Sequence, residues 1–124
     1  MPSEPATATN LTAIAERLSR PDGPPRTVRV LERAAGNVVF EVLARNGAED
    51  WPEEPGGCDG VYVVISGEGA FRCGGEVLEC AVGDVLFAPA GAPRRFERLS
   101  RGFATWRILL GRAAAACGDR GGDV

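Results

Sequence analysis

Turn-forming residues divide this chain into segments that are too short for long helices. The sequence contains 17 glycines and 9 prolines in 124 residues. Glycine tolerates positive φ and proline restricts φ, so both residues favour tight turns. The segments between them are rich in β-branched and aromatic residues, which favour strands. The pattern therefore predicts an all-β fold of short antiparallel strands, arranged as a sandwich or barrel.

The positions of the turns predict where each element falls. Asn10 is predicted to cap a short N-terminal helix over residues 11–18. An irregular segment is expected over residues 46–59. We divide the chain into an N-terminal tail and helix (1–26), a β domain (27–112) and a flexible C-terminal tail (113–124). Strands are predicted over residues 27–31, 37–45, 61–66, 70–73, 76–80, 85–88, 94–98 and 103–110.

The strand predicted over residues 37–45 is expected to be half buried. Glu41 and Arg45 fall on one side of the alternation, and Phe40 and Val42 fall on the other. Successive side chains of a strand point to opposite faces of the sheet. We therefore expect one polar face and one apolar face.

Composition and charge exclude several kinds of partner and chemistry. The net charge of −3 argues against nucleic acid, which binds positive surfaces. No apolar run is long enough to cross a membrane, and the first residues do not resemble a secretion signal, so a cytoplasmic protein is expected. All basic residues are arginines, and histidine is absent. The chain therefore lacks the side chains most often used for Schiff bases and for proton transfer near neutral pH.

The four cysteines do not form a metal-binding motif. Cys58, Cys73, Cys80 and Cys117 contain no C-x-x-C pair, so a zinc knuckle is not expected. In a reducing compartment the expected role of such residues is that of small buried hydrophobic side chains, with one thiol in the tail.

Two segments carry a resemblance to a known family. Residues 61–69 (Val-Tyr-Val-Val-Ile-Ser-Gly-Glu-Gly) resemble the first conserved motif of the cupin superfamily. Residues 83–96 resemble the second motif, with Gly83, Pro89 and Gly91 in register. The resemblance covers residues 37–110 and implies an antiparallel jelly-roll β-barrel. It also implies pairing as a homodimer.

The usual metal ligands of that family are missing. Cupins usually hold a metal with two histidines and a glutamate of the first motif and a histidine of the second. By the resemblance the glutamate falls at Gly60, the second-motif histidine at Arg94, and the two histidines within residues 53–56. Arginine has no lone pair available for a metal at ordinary pH. We therefore expect no metal and no cofactor.

Two alternatives remain open at the lost metal position. Glu53, Glu54, Cys58 and Asp59 lie near it in sequence, and carboxylates with a thiolate could hold a divalent ion. Alternatively, Arg94 could pair with Glu53 or Glu54 as a structural salt bridge.

A set of polar and aromatic side chains is expected to line the barrel interior instead. Alternation places Gly60, Tyr62 and Val64 on one face, which the resemblance turns inward together with Arg94. An arginine binds a carboxylate or phosphate through two parallel hydrogen bonds, so an anionic or carbonyl-bearing small molecule is the predicted ligand. The predicted catalytic residues are Tyr62, Arg94, Glu53 and Glu54. The predicted ligand-binding residues are Tyr62, Arg94, Phe96 and Trp106, although Tyr62 and Trp106 could equally be core residues.

Three functions are compatible with these residues. The first is a metal-independent cupin that binds a small organic ligand and could catalyse isomerisation, cyclisation or elimination. The second is a metal-dependent oxygenase or isomerase with glutamate and cysteine ligands. The third is a structural or regulatory module without a ligand. The sequence leaves open whether the protein is an enzyme.

Overall fold

Eight strands make up most of the part of the chain that the structure describes. The computed structural model describes residues 26–33, 35–44, 54, 56–112 and 114–117, together with Asn10 and Ala13. A short helix, α1 (Ala114–Cys117), follows the last strand. The strands are β1 (Arg26–Glu32), β2 (Val38–Ala44), β3 (Asp59–Ser66), β4 (Glu68–Cys73), β5 (Glu76–Ala81), β6 (Val85–Ala88), β7 (Arg94–Glu97) and β8 (Ala104–Leu110). The predicted all-β fold is confirmed.

The strands form two antiparallel sheets that face each other. The five-stranded sheet has the order β1-β2-β8-β3-β6, and the three-stranded sheet has the order β5-β4-β7. The predicted jelly-roll arrangement is confirmed, but the described strands do not close into a continuous barrel. The chain changes sheets at the tight turn after β5, where Asp84 Oδ2 accepts a hydrogen bond from the Ala81 N–H at 2.8 Å. Strand β5 is an edge of the three-stranded sheet, and β6 is an edge of the five-stranded sheet.

An aromatic cluster fills the space between the two sheets. Tyr62 of β3 packs against Phe71 and Phe96, with ring centroids 5.1 and 5.4 Å away. Phe103 extends the cluster from Phe96 at 5.1 Å. All four side chains are buried, and each contributes about 1.5–3 kcal/mol relative to an exposed position.

The prediction for the second strand was wrong in one respect. Both faces of β2 are covered, because Glu41 and Leu43 are buried on the inner face and Val42 and Ala44 on the outer face. Glu41 is nevertheless 1% exposed. A charged residue in the alternation therefore marks an interior position here, because a partner on the next strand compensates its charge.

Two sequence predictions concern segments that are mostly outside the described residues. Asn10 Oδ1 accepts a hydrogen bond from the Ala13 N–H at 2.9 Å, which is the bond that a helix cap makes. The other residues of the predicted helix over 11–18 lie outside the described residues. The division of the chain into tail, domain and tail stays a prediction. Within the described residues, no helix has the length and apolarity that crossing a membrane requires.

Candidate functional site

A row of polar side chains crosses the five-stranded sheet on its inner face. Arg29 of β1 lies opposite Glu41 of β2, and Glu41 lies opposite Arg107 of β8. Arg107 in turn lies opposite Tyr62 of β3. Residues directly opposite each other on neighbouring strands point to the same face, so the register alone brings these four side chains into one row.

Glu41 and Arg107 form a buried ion pair within this row. Arg107 Nε and Nη2 donate to Glu41 Oε1 at 2.8 and 2.6 Å. Arg29 Nε donates to the other oxygen of Glu41 at 3.1 Å. Burial alone lowers the pKa of Arg107, but the carboxylates of Glu54 and Glu41 outweigh it and raise the pKa above its usual value. Arg107 is therefore a permanent cation inside the sandwich.

Glu54 joins this ion pair to Tyr62. Glu54 Oε2 accepts a hydrogen bond from Arg107 Nη1 at 2.7 Å, and Glu54 Oε1 accepts one from the Tyr62 hydroxyl at 2.8 Å. The Glu54 side chain is 22% exposed, whereas the Arg107 and Glu41 side chains are 2% and 0% exposed. We call the set Glu41, Arg107, Glu54 and Tyr62 the polar network. Glu54 is the member that reaches solvent.

Burial determines the protonation state of Tyr62. Loss of solvent raises the pKa of the Tyr62 hydroxyl above its usual value, and the charge of Glu54 raises it further. The residue therefore stays a neutral phenol and can only donate to Glu54. Tyr62 and Arg107 together fix both oxygens of that carboxylate.

Arg94 of β7 is also buried but binds backbone carbonyls. Its Nε donates to Ala92 O at 2.9 Å, its Nη1 to Cys58 O at 3.1 Å and its Nη2 to Pro89 O at 2.8 Å. These bonds use three of the five N–H groups of a guanidinium. Arg94 therefore connects the segment before β3 with the loop between β6 and β7.

A salt bridge between Arg94 and Glu54, one of the alternatives that the sequence left open, does not form. The two residues meet through their backbones instead, in an antiparallel bridge with N···O distances of 2.7 and 3.1 Å. The carboxylate of Glu54 is then directed to Tyr62 and Arg107. Glu53, the other expected partner, lies outside the described residues.

Gly60 provides the space that the Arg94 side chain occupies. A Cβ atom on Gly60 would lie 2.8 Å from Arg94 Nη1 and 3.3 Å from the Tyr62 hydroxyl oxygen. The resemblance places the glutamate ligand of cupins at Gly60 and a histidine ligand at Arg94. In this chain a guanidinium therefore fills the space beside the position from which that glutamate would extend.

The residues present do not fit the metal of that family. Gly60 offers no side chain, and Arg94 brings a positive charge that repels a cation. Among the described residues, no three His, Cys, Asp or Glu side chains lie close enough together to hold a metal ion. Asp59 Oδ1, one of the proposed substitute ligands, accepts a hydrogen bond from the Ala90 N–H at 2.7 Å instead.

The structure brings some of the predicted site residues together but not others. Tyr62 and Glu54 are in contact, and Arg94 adjoins both. Phe96 belongs to the aromatic cluster beneath them. Trp106 faces away from Arg107 and packs on the outer face of the five-stranded sheet with Val42.

Sequence reasoning missed two members of the polar network. Glu41 and Arg107 each interrupt a run of apolar residues in a predicted strand, which is the signal that could have identified them. A charge at such a position either faces solvent or pairs inside. The pairing of β2 with β8, which decides between the two, is not visible from either strand alone.

A cleft lies beside the loop between β6 and β7, whose carbonyls accept hydrogen bonds from Arg94. It has a volume of about 210 Å³ and lies between the inner face of β4 and β5 and the loop after β6. Phe71 and Leu78 line one side, and Pro89 and Ala92 line the other. Arg94 donates to the carbonyls of both loop residues, so it fixes one wall of this cleft.

Known sequences match only part of this chain. No protein-family model matches the chain. An uncharacterized protein of Streptomyces coelicolor is 38% identical over 48 residues. That match spans 39% of this chain and 46% of the relative, so less than half of the relative's length is represented.

Solved structures resemble most of this chain in fold. A cupin superfamily protein from Desulfitobacterium hafniense has a TM-score of 0.68 at 18% identity, over 78% of this chain and 86% of that one. A predicted oxalate decarboxylase from Thermotoga maritima has a TM-score of 0.62 at 16% identity, over 75% of this chain and 97% of that one. Likeness at such low identity shows a shared fold.

Proposed function

Because the chain has the cupin fold, we propose that it is a metal-independent cupin that binds a small organic ligand at the Glu54 end of the polar network. One observation supports this most strongly. Glu54 is partly exposed at 22%, and both of its oxygens are held by buried groups. A ligand that reaches Glu54 would meet a carboxylate in a fixed orientation, so little ordering of the protein would oppose binding.

The cost of the polar network supports a binding role over a purely structural one. Moving an ion pair out of water costs several kcal/mol per ion, and replacing it with apolar side chains is often neutral or stabilising. A sandwich that only needed a filled interior would be equally stable with leucine or methionine at Glu41 and Arg107. A network that also ends at solvent, in Glu54, is suited to recognition.

The charges around Glu54 favour a ligand that carries a carbonyl or carboxylate beside an exchangeable hydrogen. Arg107 and Arg94 supply positive potential for the oxygen of the ligand. Glu54 can accept a hydrogen bond or take a proton, whereas Tyr62 remains protonated and positions Glu54. Isomerisation, cyclisation and elimination each begin with such a proton transfer. One structural neighbour is a predicted oxalate decarboxylase, a name that refers to a small carboxylate.

A binding assay with a matched control tests this proposal. Pyruvate, lactate, malate and glycolate are titrated into the full chain by calorimetry. We expect at least one of them to bind wild type and to bind Glu54→Gln at least about tenfold more weakly, a loss of about 1.4 kcal/mol. The control is Glu79→Gln, because the Glu79 side chain is 77% exposed and pairs only at the surface with Arg98.

Two results would contradict the proposal. One is equal affinity of wild type and Glu54→Gln for the same compound, with both proteins folded by circular dichroism. The other is the failure of all four compounds to bind, which would remove the proposed ligand class and favour the structural module.

A further inference from the structure

Two cysteines lie together at the edge of the candidate site. Cys58 immediately precedes β3 and is 5% exposed. Cys117 ends α1 and is partly exposed. Both pack in one small cluster with Val39, Leu109 and Ala114. Residues 59 positions apart in sequence are thus neighbours in the fold.

Cys117 reaches the chain segment that carries Cys58. Burial raises the pKa of the Cys58 thiol, and the neighbouring Cys117 thiol raises it further. Cys117 Sγ also lies 3.4 Å from the point where Gly57 would carry a Cβ atom. Because Gly57 has no side chain, nothing at that position separates the helix from the segment before β3.

Backbone hydrogen bonds hold α1 at this place. The Ala114 N–H donates to Gly111 O at 3.1 Å, and the Gly111 N–H donates to Asn37 O at 3.0 Å. Ala114 is fully buried. The thiol of Cys117 is therefore presented to Cys58 by a fixed element.

The other two cysteines are not arranged in this way. Cys73 lies opposite Glu76 and Arg94, and Cys80 lies opposite Gly69. They occupy different positions along the β4–β5 pair. They supply an internal comparison, because all four cysteines share one chain and one solvent.

We propose that Cys58 and Cys117 form a redox-sensitive pair that closes to a disulfide when the protein meets hydrogen peroxide. Cys117 is the more exposed thiol and reacts first. Its sulfur attacks the peroxide, the O–O bond breaks, and Cys117 becomes a sulfenic acid while one water is released. The Cys58 sulfur then attacks the Cys117 sulfur, the S–O bond breaks, and the oxygen leaves as a second water with the Cys58 proton.

The environment of Cys58 agrees with this order of reaction. Burial and the neighbouring Cys117 thiol raise the pKa of the Cys58 thiol to about 12. A buried thiol that keeps its proton reacts slowly with peroxide, so the more exposed Cys117 reacts first, and Cys58 must lose its proton as it attacks the neighbouring sulfenic acid. Cys58 is thus suited to be the second cysteine to react.

The bridge would act on the candidate site through the backbone. Cys58 O accepts the hydrogen bond from Arg94 Nη1 at 3.1 Å. A disulfide would fix Cys58 against α1 and so restrict the movement of this carbonyl. The inference does not depend on the proposed ligand, because it concerns only the two thiols and their surroundings.

Mass spectrometry tests the pair directly. The full chain is reduced, desalted, treated with hydrogen peroxide and digested after alkylation. We expect a mass loss of about 2 Da, one cross-linked peptide pair containing Cys58 and Cys117, and full reversal by dithiothreitol. The Cys73→Ser/Cys80→Ser double variant should behave like wild type, and Cys117→Ser should give no cross-link.

Thermal unfolding distinguishes a disulfide that fits the native structure from one that distorts it. A disulfide that fits the native geometry stabilises by restricting the unfolded chain. The oxidised protein should therefore unfold several degrees higher than the reduced protein, and Cys117→Ser should show no such shift. Four results would overturn the inference. Three concern the products: sulfinic acid at Cys117 without a bridge, bridges only between molecules, or a Cys73–Cys80 bridge. The fourth is an unchanged or lowered Tm in the bridged form.

Discussion

Glu54 and Tyr62 illustrate how neighbouring residues fix each other's state. Desolvation and then the charge of Glu54 raise the pKa of Tyr62, so the shared proton stays on the phenol. The hydrogen bond of 2.8 Å between them is therefore donated by Tyr62. Arg107 holds the second oxygen of Glu54 from the other side. The carboxylate keeps one orientation while part of it faces solvent.

Tyr62 can be observed alone, because it is the chain's only tyrosine. Its pKa in the folded protein is raised above the usual value of 10.0. The folded state then holds its proton where the unfolded state has lost it, so this contribution to stability is present below about pH 10 and falls as pH rises further. We expect no phenolate absorbance at 295 nm (about the phenolate maximum) in folded protein near pH 11, and about nine-tenths of the full absorbance in guanidinium chloride.

The Tyr62→Phe variant supplies the blank for that titration. Ionisation of Tyr62 in the folded protein with an ordinary midpoint near about pH 10 would show that the phenol is solvated. That result would contradict a buried hydrogen bond between Tyr62 and Glu54.

At the level of the strands, the pairing register brings the charged side chains together, and Gly60 leaves space for the Arg94 side chain. Four strands contribute one residue each to the row that runs from Arg29 to Tyr62. The sequence predicted the inward position of Tyr62, because alternation groups it with Gly60 and Val64 and the resemblance turns that face inward. It did not predict Arg107 or Glu41 as site residues, because their meeting depends on pairing between strands distant in sequence.

The partners of Arg94 show the same limit. The resemblance predicted that this side chain points inward, and the structure buries it at 2% exposure. Its acceptors are the carbonyls of Cys58, Pro89 and Ala92. Every residue has a backbone carbonyl. Residue type therefore could not indicate which three carbonyls accept the hydrogen bonds of Arg94.

Gly60→Ala tests the packing of β3 against Arg94. The new Cβ atom would lie 2.8 Å from Arg94 Nη1 and 3.1 Å from a ring carbon of Tyr62. Arg94 cannot move away cheaply, because three carbonyls hold it. We expect a loss of about 1–3 kcal/mol in the free energy of unfolding, measured with urea. Gly57→Ala is the control, since its nearest contact, Cys117 Sγ at 3.4 Å, is an ordinary one; equal stability of the two variants would contradict the close approach.

For the whole molecule, turn signals and two motifs were enough to predict the fold. Glycines at the sheet changes, such as Gly67 with φ of 81°, set the jelly-roll path. A Cβ atom there would lie 2.8 Å from Ser100 Oγ, so the crossing also needs a residue without a side chain. Which strands form the sheet edges was not predicted, because β5 and β6 differ from inner strands only in their neighbours.

We propose that Arg94 and the polar network take the place of a metal site in this fold. This proposal is tested by the metal content of the full chain, purified without an affinity tag from medium containing iron, manganese, nickel and zinc. We predict well under about 0.1 equivalent of any of these metals and a Tm that chelators leave unchanged. About one equivalent of a single metal, lost together with thermal stability on chelation, would show that the fold keeps a metal site and would rule the proposal out.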